Sequence, residues 1–93
     1  MSEAAIAMDR EGGRFTIEVD GHVGALYFDL NDAVMAIDSV QVPKAIGGRG
    51  IAGRLTRTAL DRARAEGLTV DPVCPYVKRW LERHPEYQDL VSS

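Results

Sequence analysis

The sequence has little cysteine, few aromatic residues and no long apolar run, and these shortages exclude several classes of protein. Cys74 is the only cysteine among the 93 residues, which excludes an intramolecular disulfide and a cysteine-rich zinc site, and we predict no metal site. No stretch approaches the ~20 consecutive apolar residues of a membrane-spanning helix. Residues 1–13 lack a basic start followed by an apolar run, which argues against a signal peptide. We therefore expect a reduced, soluble, cytoplasmic protein without a membrane partner.

The remaining composition is typical of one small globular domain. The apolar fraction is 45% and the charged fraction is 27%, both near the averages for soluble proteins. A chain of this size buries roughly 60% of the surface that its unfolded form would expose, which is enough for one core. Residues 1–12 are mostly small and polar and predict a flexible N-terminal arm, so the domain is predicted to span residues 13–93. We expect a monomer or a weak homodimer.

Charge is divided unevenly along the chain. Residues 1–43 carry eight acidic and two basic side chains, whereas residues 44–93 carry six acidic and nine basic ones, for a net charge of −3. A basic stretch in an acidic protein favours a compact anionic ligand over a long polyanion. No nucleic-acid partner is predicted, because the basic stretch lacks interleaved aromatic residues. The alternative is a solvated helix face with intrahelical ion pairs, such as Arg62 and Glu66 at i,i+4 spacing.

Apolar patterning predicts three strands in the first half of the domain. Apolar and polar residues alternate over 14–19, which is the period of a half-buried strand. Asp20-Gly21 is a strong signal for a two-residue hairpin turn. Strand-like runs follow at 22–30 and 33–42, and the second is so continuously apolar that it predicts burial on both faces. Three strands joined by short turns predict an antiparallel meander.

The hydrophobic period changes in the second half of the chain. Residues 50–66 repeat their apolar positions at the helical period, and Gly67 follows as a C-terminal cap. Residues 68–73 predict a strand, and a helix between two strands favours parallel pairing with 33–42. Pro75 marks the start of a short C-terminal helix. Together these elements predict an α+β fold with a mixed sheet, in which a β-α-β unit with one parallel strand follows the meander.

A glycine-rich turn immediately precedes the predicted helix. The first amides of a helix have no intrahelical acceptors, the helix dipole adds partial positive charge there, and glycines let an anion approach the backbone. These features predict a phosphate-binding cradle. The alternative is a glycine loop that only lets the helix pack closely on the sheet. A Walker A motif fits poorly, because its Gly-Lys-Ser/Thr ending is absent from the run Gly47-Gly48-Arg49-Gly50-Ile51-Ala52-Gly53-Arg54.

This turn resembles the acyl-CoA site of the GCN5-related N-acetyltransferases, whose motif Arg/Gln-x-x-Gly-x-Gly/Ala follows a central strand and opens a helix. Gly50 and Ala52 match the last two motif positions, and Gly47 stands in place of Arg or Gln. The stretches Val73-Cys74-Pro75-Tyr76-Val77 and His84-Pro85-Glu86-Tyr87 resemble the signature of a small single-domain branch of that family, the YidJ- and NATD-type proteins. The resemblance covers most of the chain and implies a compact acetyltransferase core.

The resemblance also implies a co-substrate and a set of binding residues. The co-substrate is acetyl-CoA, and its pantetheine arm is expected between splayed strands near 40–43 and 69–74. The acceptor is expected to be an amine. The residues implied in CoA binding are Val40, Val42, Gly47, Gly48, Arg49, Gly50, Ile51, Ala52, Gly53, Arg54, Cys74 and Tyr76.

Three residues are candidates for the chemistry. Cys74 follows the last predicted strand, where it could accept the acetyl group as a nucleophile, line the pocket, or serve as a small core residue. Tyr76 is a candidate to protonate the departing CoA thiolate, or it packs. Asp38 is a candidate base, because Ser39 and Gln41 stand where the branch usually has His and Glu. A water molecule held by Ser39 and Gln41 is the alternative to Asp38.

The predicted function is that of an acetyl-CoA-dependent N-acetyltransferase acting on an unidentified amine, either a lysine of a peptide or protein or a small amine. The alternative is a non-catalytic acyl-CoA-binding or interaction module. Larger relatives carry two helices that wall the acceptor site, whereas here Asp20-Gly21 joins two strands directly. We therefore expect an open, shallow acceptor side, and its acidic strands should attract a cationic amine.

Overall fold

The computed structural model describes residues 5–91, in which a five-stranded mixed sheet carries helices on one face. The sheet order follows the chain, with the first four strands antiparallel and the fifth parallel to the fourth. This arrangement confirms the predicted α+β fold, its meander and its β-α-β unit. The elements are β1 (Ile6–Asp9), β2 (Arg14–Val19), β3 (His22–Asn31), β4 (Val34–Gln41), a 3₁₀ turn (Lys44–Ile46), α1 (Ile51–Ala65), β5 (Thr69–Pro72), α2 (Pro75–Glu82) and a 3₁₀ segment (Pro85–Leu90).

The two tight hairpins of the meander turn at aspartates in the left-handed conformation. The β2–β3 hairpin turns at Asp20 and Gly21, whose φ angles are 52° and 79°. A type I′ turn needs positive φ at both central positions, which explains the Asp-Gly sequence. Asp32 has a φ of 53° in the β3–β4 turn. Aspartate adopts this conformation more readily than most residues do, so both turns are compatible with their sequences.

Helices α1 and α2 cover the same face of the sheet. Leu55, Ala59 and Ala63 form a buried stripe at the helical period along α1, as the sequence pattern predicts. α1 contacts strands β2 to β5, and α2 contacts β4 and β5. The side chains that the strands bury beneath these helices are Phe15, Ile17, Leu26, Phe28, Met35, Ile37 and Val70. In the part of the chain that the structure describes, no helix covers the opposite face, called the open face below.

The N-terminal arm predicted for residues 1–12 contains a strand. β1 pairs with β2 so that Ile6 faces Ile17 and Met8 faces Phe15. Ile6 and Met8 are partly buried and pack against the core. The prediction of a flexible arm is therefore wrong for residues 6–9, because two apolar side chains at alternate positions find a partner strand. Residues 1–4 lie outside the described part of the chain.

Strand β4 is buried on one face only, in contrast to the prediction of burial on both. Met35 and Ile37 are fully buried under the helices, whereas Val34 and Ala36 are half-buried and Asp38 is exposed. Helices α1 and α2 both pack on a single face, so within the described residues the other face of this central strand remains open. Val34 and Ala36 on the open face are apolar although they are only half-buried, so the sequence of β4 predicted more burial than the strand has.

The predicted helix boundaries agree with the structure to within one residue. α1 starts after Gly50, which has a φ of 73°, and Gly67 beyond its other end has a φ of 71°. Pro75 is the first residue of α2, a position where its missing N–H costs no hydrogen bond. Among the described residues, neither helix combines the length and apolar character needed to cross a membrane.

Candidate functional site

Strands β4 and β5 pair over a short distance and then diverge. Their parallel register runs from Val34 opposite Thr69 to Ile37 opposite Pro72. The last link between the two segments is the Cys74 amide, which donates to the Ile37 carbonyl at 2.9 Å. β4 continues to Gln41 beyond this link, whereas the segment that follows β5 turns away into α2. The result is a V-shaped opening, bordered on one side by the backbone of β4.

Val40 and Val42 lie on the β4 side of this opening. Val40 pairs with Leu26 of β3, and both valines are half-buried against the core under the helices. The backbone of this stretch has β3 on one side and, beyond Ile37, no strand on the other among residues 5–91. It can therefore offer hydrogen bonds to an extended ligand that lies in the opening.

A β-bulge in β4 lies at the point where the opening begins. Tyr27 of β3 pairs with Ser39 and Phe28 pairs with Ile37, so Asp38 is an extra residue without a partner in β3. Bulges bend a strand and redirect a side chain, and they are frequent next to active sites. No local sequence signal marks this bulge, because it depends on the register with β3.

The bulge places Asp38 among other carboxylates on the open face. Asp29 of β3 and Asp71 of β5 flank Ala36 of β4 from opposite sides. Loss of hydration raises the pKa of the Asp38 carboxyl, and a hydrogen bond with Asp29 and the charges of Asp29 and Asp71 raise it further. Asp38 therefore holds a proton to higher pH than an ordinary aspartate, which suits a group that accepts a proton from an amine.

The glycine turn presents a row of unpartnered amides at the start of α1. The first helical hydrogen bond runs from the Arg54 amide to the Gly50 carbonyl at 3.0 Å. Within the described structure, the backbone amides of residues 48–53 donate to no acceptor. Gly48 and Gly50 have φ angles of 77° and 73°, and a Cβ added at either would meet no atom within 4 Å. The cradle is therefore open, and its donors are available to an anion.

Arginines flank this cradle, and several of them already have partners. Arg49 Nη1 lies 2.6 Å from Asp20 Oδ2 in the β2–β3 turn. Arg54 is half-buried in the first turn of α1. Further along the helix, Arg57 donates to the Tyr87 hydroxyl at 3.2 Å, and that hydroxyl donates to Asp61 at 2.7 Å. The basic side of α1 thus serves two purposes, since its far end fixes the C-terminal segment and its near end stands at the cradle.

Cys74 and Tyr76 border the opening on the helix-covered side of the sheet. Cys74 is buried immediately before α2 as a free thiol. Tyr76 is half-buried, and its hydroxyl lies 3.7 Å from the position that a Cβ on Gly53 would occupy. Burial raises the pKa of Tyr76, the charge of Arg83 opposes that rise, and Cys74 adds to it. The phenol is therefore protonated at neutral pH and can donate a proton beside the cradle.

Gly53 allows this approach of α2 to α1. A Cβ at Gly53 would contact Trp80 Nε1 at 3.5 Å as well as the Tyr76 hydroxyl. The Cα of Gly53 thus faces α2 on the side where a side chain would stand, whereas its amide belongs to the cradle. Ile51 is buried and Ala52 is half-buried, so these two residues anchor the turn and contribute backbone amides.

The residues predicted from the sequence therefore meet at one opening but from two faces. The cradle, Cys74 and Tyr76 lie on the side that the helices cover, whereas Asp38 projects from the open face. A groove of about 630 Å³ runs along the open face beside the end of β4, and its lining includes Arg14, Ala25, Tyr27 and Gln41.

Comparison with known proteins shows the family of this chain. Residues 14–90 match the family described as GCN5-related N-acetyl-transferase. The chain belongs to the GCN5-related N-acetyltransferase family. Protein NATD1 from Gallus gallus is 33% identical over 85 residues, which cover 88% of this chain and 77% of that protein. Protein NATD1 from Homo sapiens is also 33% identical over 85 residues, covering 88% of this chain and 75% of its own length.

A solved structure shares the fold of this acetyltransferase-family chain. The solution structure of a GCN5-like protein from Staphylococcus aureus superposes with a TM-score of 0.78 and 24% sequence identity. The match covers 100% of this chain and 92% of that protein. Family membership supports acyl transfer to an amine as the general activity, and the small single-domain core agrees with the resemblance seen in the sequence.

Proposed function

We propose that this protein is an acetyl-CoA-dependent N-acetyltransferase whose amine acceptor approaches from the open face of the sheet. The observation that carries the proposal is the row of amides at residues 48–53, which have no acceptor within the described structure and follow closely along the chain after the end of β4, where the opening begins. An anion cradle joined to an open strand edge fits a long ligand with a diphosphate at one end and an extended arm at the other.

Acetyl-CoA supplies the activated acetyl group as a thioester when it is bound. Under this proposal, the amides of residues 48–53 hold the diphosphate, and Arg49 and Arg54 add positive charge beside it. The backbone from Val40, near the end of β4, to Val42 orients the arm by hydrogen bonds, and an amide of this stretch donates to the thioester carbonyl oxygen. Such a donor stabilises the negative charge that develops on this oxygen during attack.

The two faces of the opening divide the proton transfers between them. Asp38 on the open face accepts the proton of the attacking amine, for which its raised pKa is suitable. Tyr76 on the covered face donates a proton to the departing thiolate, because its hydroxyl is protonated and stands beside the first turn of α1. Attack is direct in this scheme, and buried Cys74 lines the opening without becoming acylated.

The acceptor that this face suits best is a cationic amine. Asp29, Asp38 and Asp71 place three carboxyl groups on neighbouring strands at the bulge. Their field attracts an ammonium group. The groove on the same face lies beside these carboxylates and is not lined by them, and its one charged lining residue is Arg14. It leaves room for either a small amine or a lysine side chain on a peptide.

The experiment that tests the proposal combines intact mass with turnover. The protein is incubated with acetyl-CoA and a panel of amines that differ in charge and size, and CoA release and product mass are followed. Turnover with cationic amines, no stable adduct on the protein, and loss of turnover in Asp38→Asn are the expected results. Asp32→Asn is the control, since Asp32 has the same charge but lies in the distant β3–β4 turn. CoA binding without turnover on any amine would instead establish the non-catalytic acyl-CoA-binding module.

A further inference from the structure

The ion pair between Arg49 and Asp20 joins the glycine turn to the β2–β3 hairpin. Arg49 Nη1 donates to Asp20 Oδ2 at 2.6 Å, across 29 positions of sequence. The Arg49 and Asp20 side chains are 50% and 67% exposed, so an incoming ligand can reach the pair. Arg49 is the only charged residue between Gly47 and Gly53. The carboxylate of Asp20 therefore pairs with the one charged side chain that the glycine turn carries.

We propose that Asp20 is an internal competitor for the cradle, which holds Arg49 in the free protein and weakens the binding of CoA. This inference rests on the proposed function, because the competing anion is the diphosphate of CoA. If the Arg49 guanidinium turns to a phosphate of CoA, it loses its hydrogen bond with Asp20. If it keeps that bond, the Asp20 carboxylate stays close to the phosphate and repels it. Either outcome reduces affinity, and an exposed ion pair of this kind accounts for roughly a two- to fivefold effect. The competition favours release of the CoA product.

Asp20→Asn tests this role with little disturbance of the turn. Asp20 has a φ of 52°, a conformation that asparagine also adopts readily. Asp32→Asn is a matched control, because Asp32 has a φ of 53° in the other two-residue turn and its replacement removes the same charge. Any difference between the two variants therefore reports the position of Asp20 beside the glycine turn and excludes the effects of net charge and of turn strain, and the Arg49→Gln background assigns it to the contact with Arg49.

Calorimetric titration with CoA measures the effect. At about 10 mM salt, Asp20→Asn is expected to bind CoA about threefold more tightly than Asp32→Asn, and at about 1 M salt the two should be equal, because the charges are then screened. In an Arg49→Gln background, Asp20→Asn should bring no gain. Thermal unfolding without ligand should show Asp20→Asn slightly less stable than Asp32→Asn, since the contact stabilises the free form.

Two results would overturn the inference while the proposed function stands. Equal CoA affinity of the two variants at low salt would mean that Arg49 does not meet the phosphates. Weaker binding by Asp20→Asn would mean that Asp20 positions Arg49 for the ligand instead of competing for it. Failure of the unaltered protein to bind CoA is a different result, because it would refute the proposed function and remove this inference with it.

Discussion

Replacing Gly50 by valine separates the two tasks of the glycine turn. Gly50 has a φ of 73°, and an L-residue in this left-handed region costs about 1–2 kcal/mol. Gly67 at the other end of α1 has a φ of 71°, and a Cβ at either position meets no atom within 4 Å. Gly50→Val and Gly67→Val therefore impose a similar backbone strain on the same helix. Only the valine at Gly50 stands in front of the cradle amides.

Chemical denaturation and calorimetry with CoA then give two independent readouts. Both variants should lose about 1–2 kcal/mol of unfolding free energy through backbone strain. Gly50→Val should in addition bind CoA at least tenfold more weakly, which corresponds to about 1.4 kcal/mol, because its side chain holds the diphosphate away from the amides. Gly67→Val should bind CoA as the unaltered protein does.

The pattern of losses decides whether the cradle is correctly placed. Equal CoA affinity of Gly50→Val and Gly67→Val would refute the assignment of the diphosphate to residues 48–53. A loss of affinity in both variants would show that binding responds to the stability of α1 and not to access to its first turn.

Three further predictions concern the opening and its surroundings. Cys74→Ala should keep most of kcat if transfer is direct, whereas a thousandfold loss of kcat with an acetyl adduct on the unaltered protein would establish a covalent route. Asp38→Asn should be more stable than the unaltered protein at neutral pH. Because the pKa of Asp38 is raised in the folded state, that state binds more protons than the unfolded state above pH ~3.9, and the ionised carboxylate lowers the unfolding free energy there. The advantage of Asn should therefore vanish when denaturation is repeated toward pH ~3. Gly53→Ala should raise the unfolding free energy by about 0.5–1 kcal/mol, since the added Cβ makes ordinary contact with Trp80, and a fall in stability would show that α2 cannot yield there.

Local chemistry explains why much of this fold was predictable. The Asp20-Gly21 turn fixes the β2–β3 register through two positive φ angles, and the glycines at the ends of α1 mark its boundaries. The parallel pairing of β5 follows from a helix between two strands, because the connection is too long for a hairpin. The amides without acceptors at the start of α1 were predictable for the same reason, since the conformation of the glycines and the amides of a helix start are local properties.

The features that sequence reasoning missed depend on pairing between distant segments. β1 is short, and its apolar residues Ile6 and Met8 indicate a strand only once they are seen to pair with β2. The bulge at Asp38 exists only relative to β3, and the contact of Asp20 with Arg49 joins two turns that are far apart in the chain. Asp29 and Asp71 were likewise ordinary strand acids until the register placed them beside β4.

The basic residues of α1 have a further consequence for the chemistry of the chain. Lysine occurs only at Lys44 and Lys78, whereas the other nine cationic residues are arginines, including all four cations of α1. A guanidinium stays protonated and is not acylated by a thioester, whereas a lysine amine is a common target of acetylation. The helix that would hold acetyl-CoA thus provides positive charge without an amine that its own co-substrate could consume. Unwanted acetylation of amines is confined to Lys44, Lys78 and the terminal amine, so an acetyl group on Cys74 would be distinguished from it by peptide mapping.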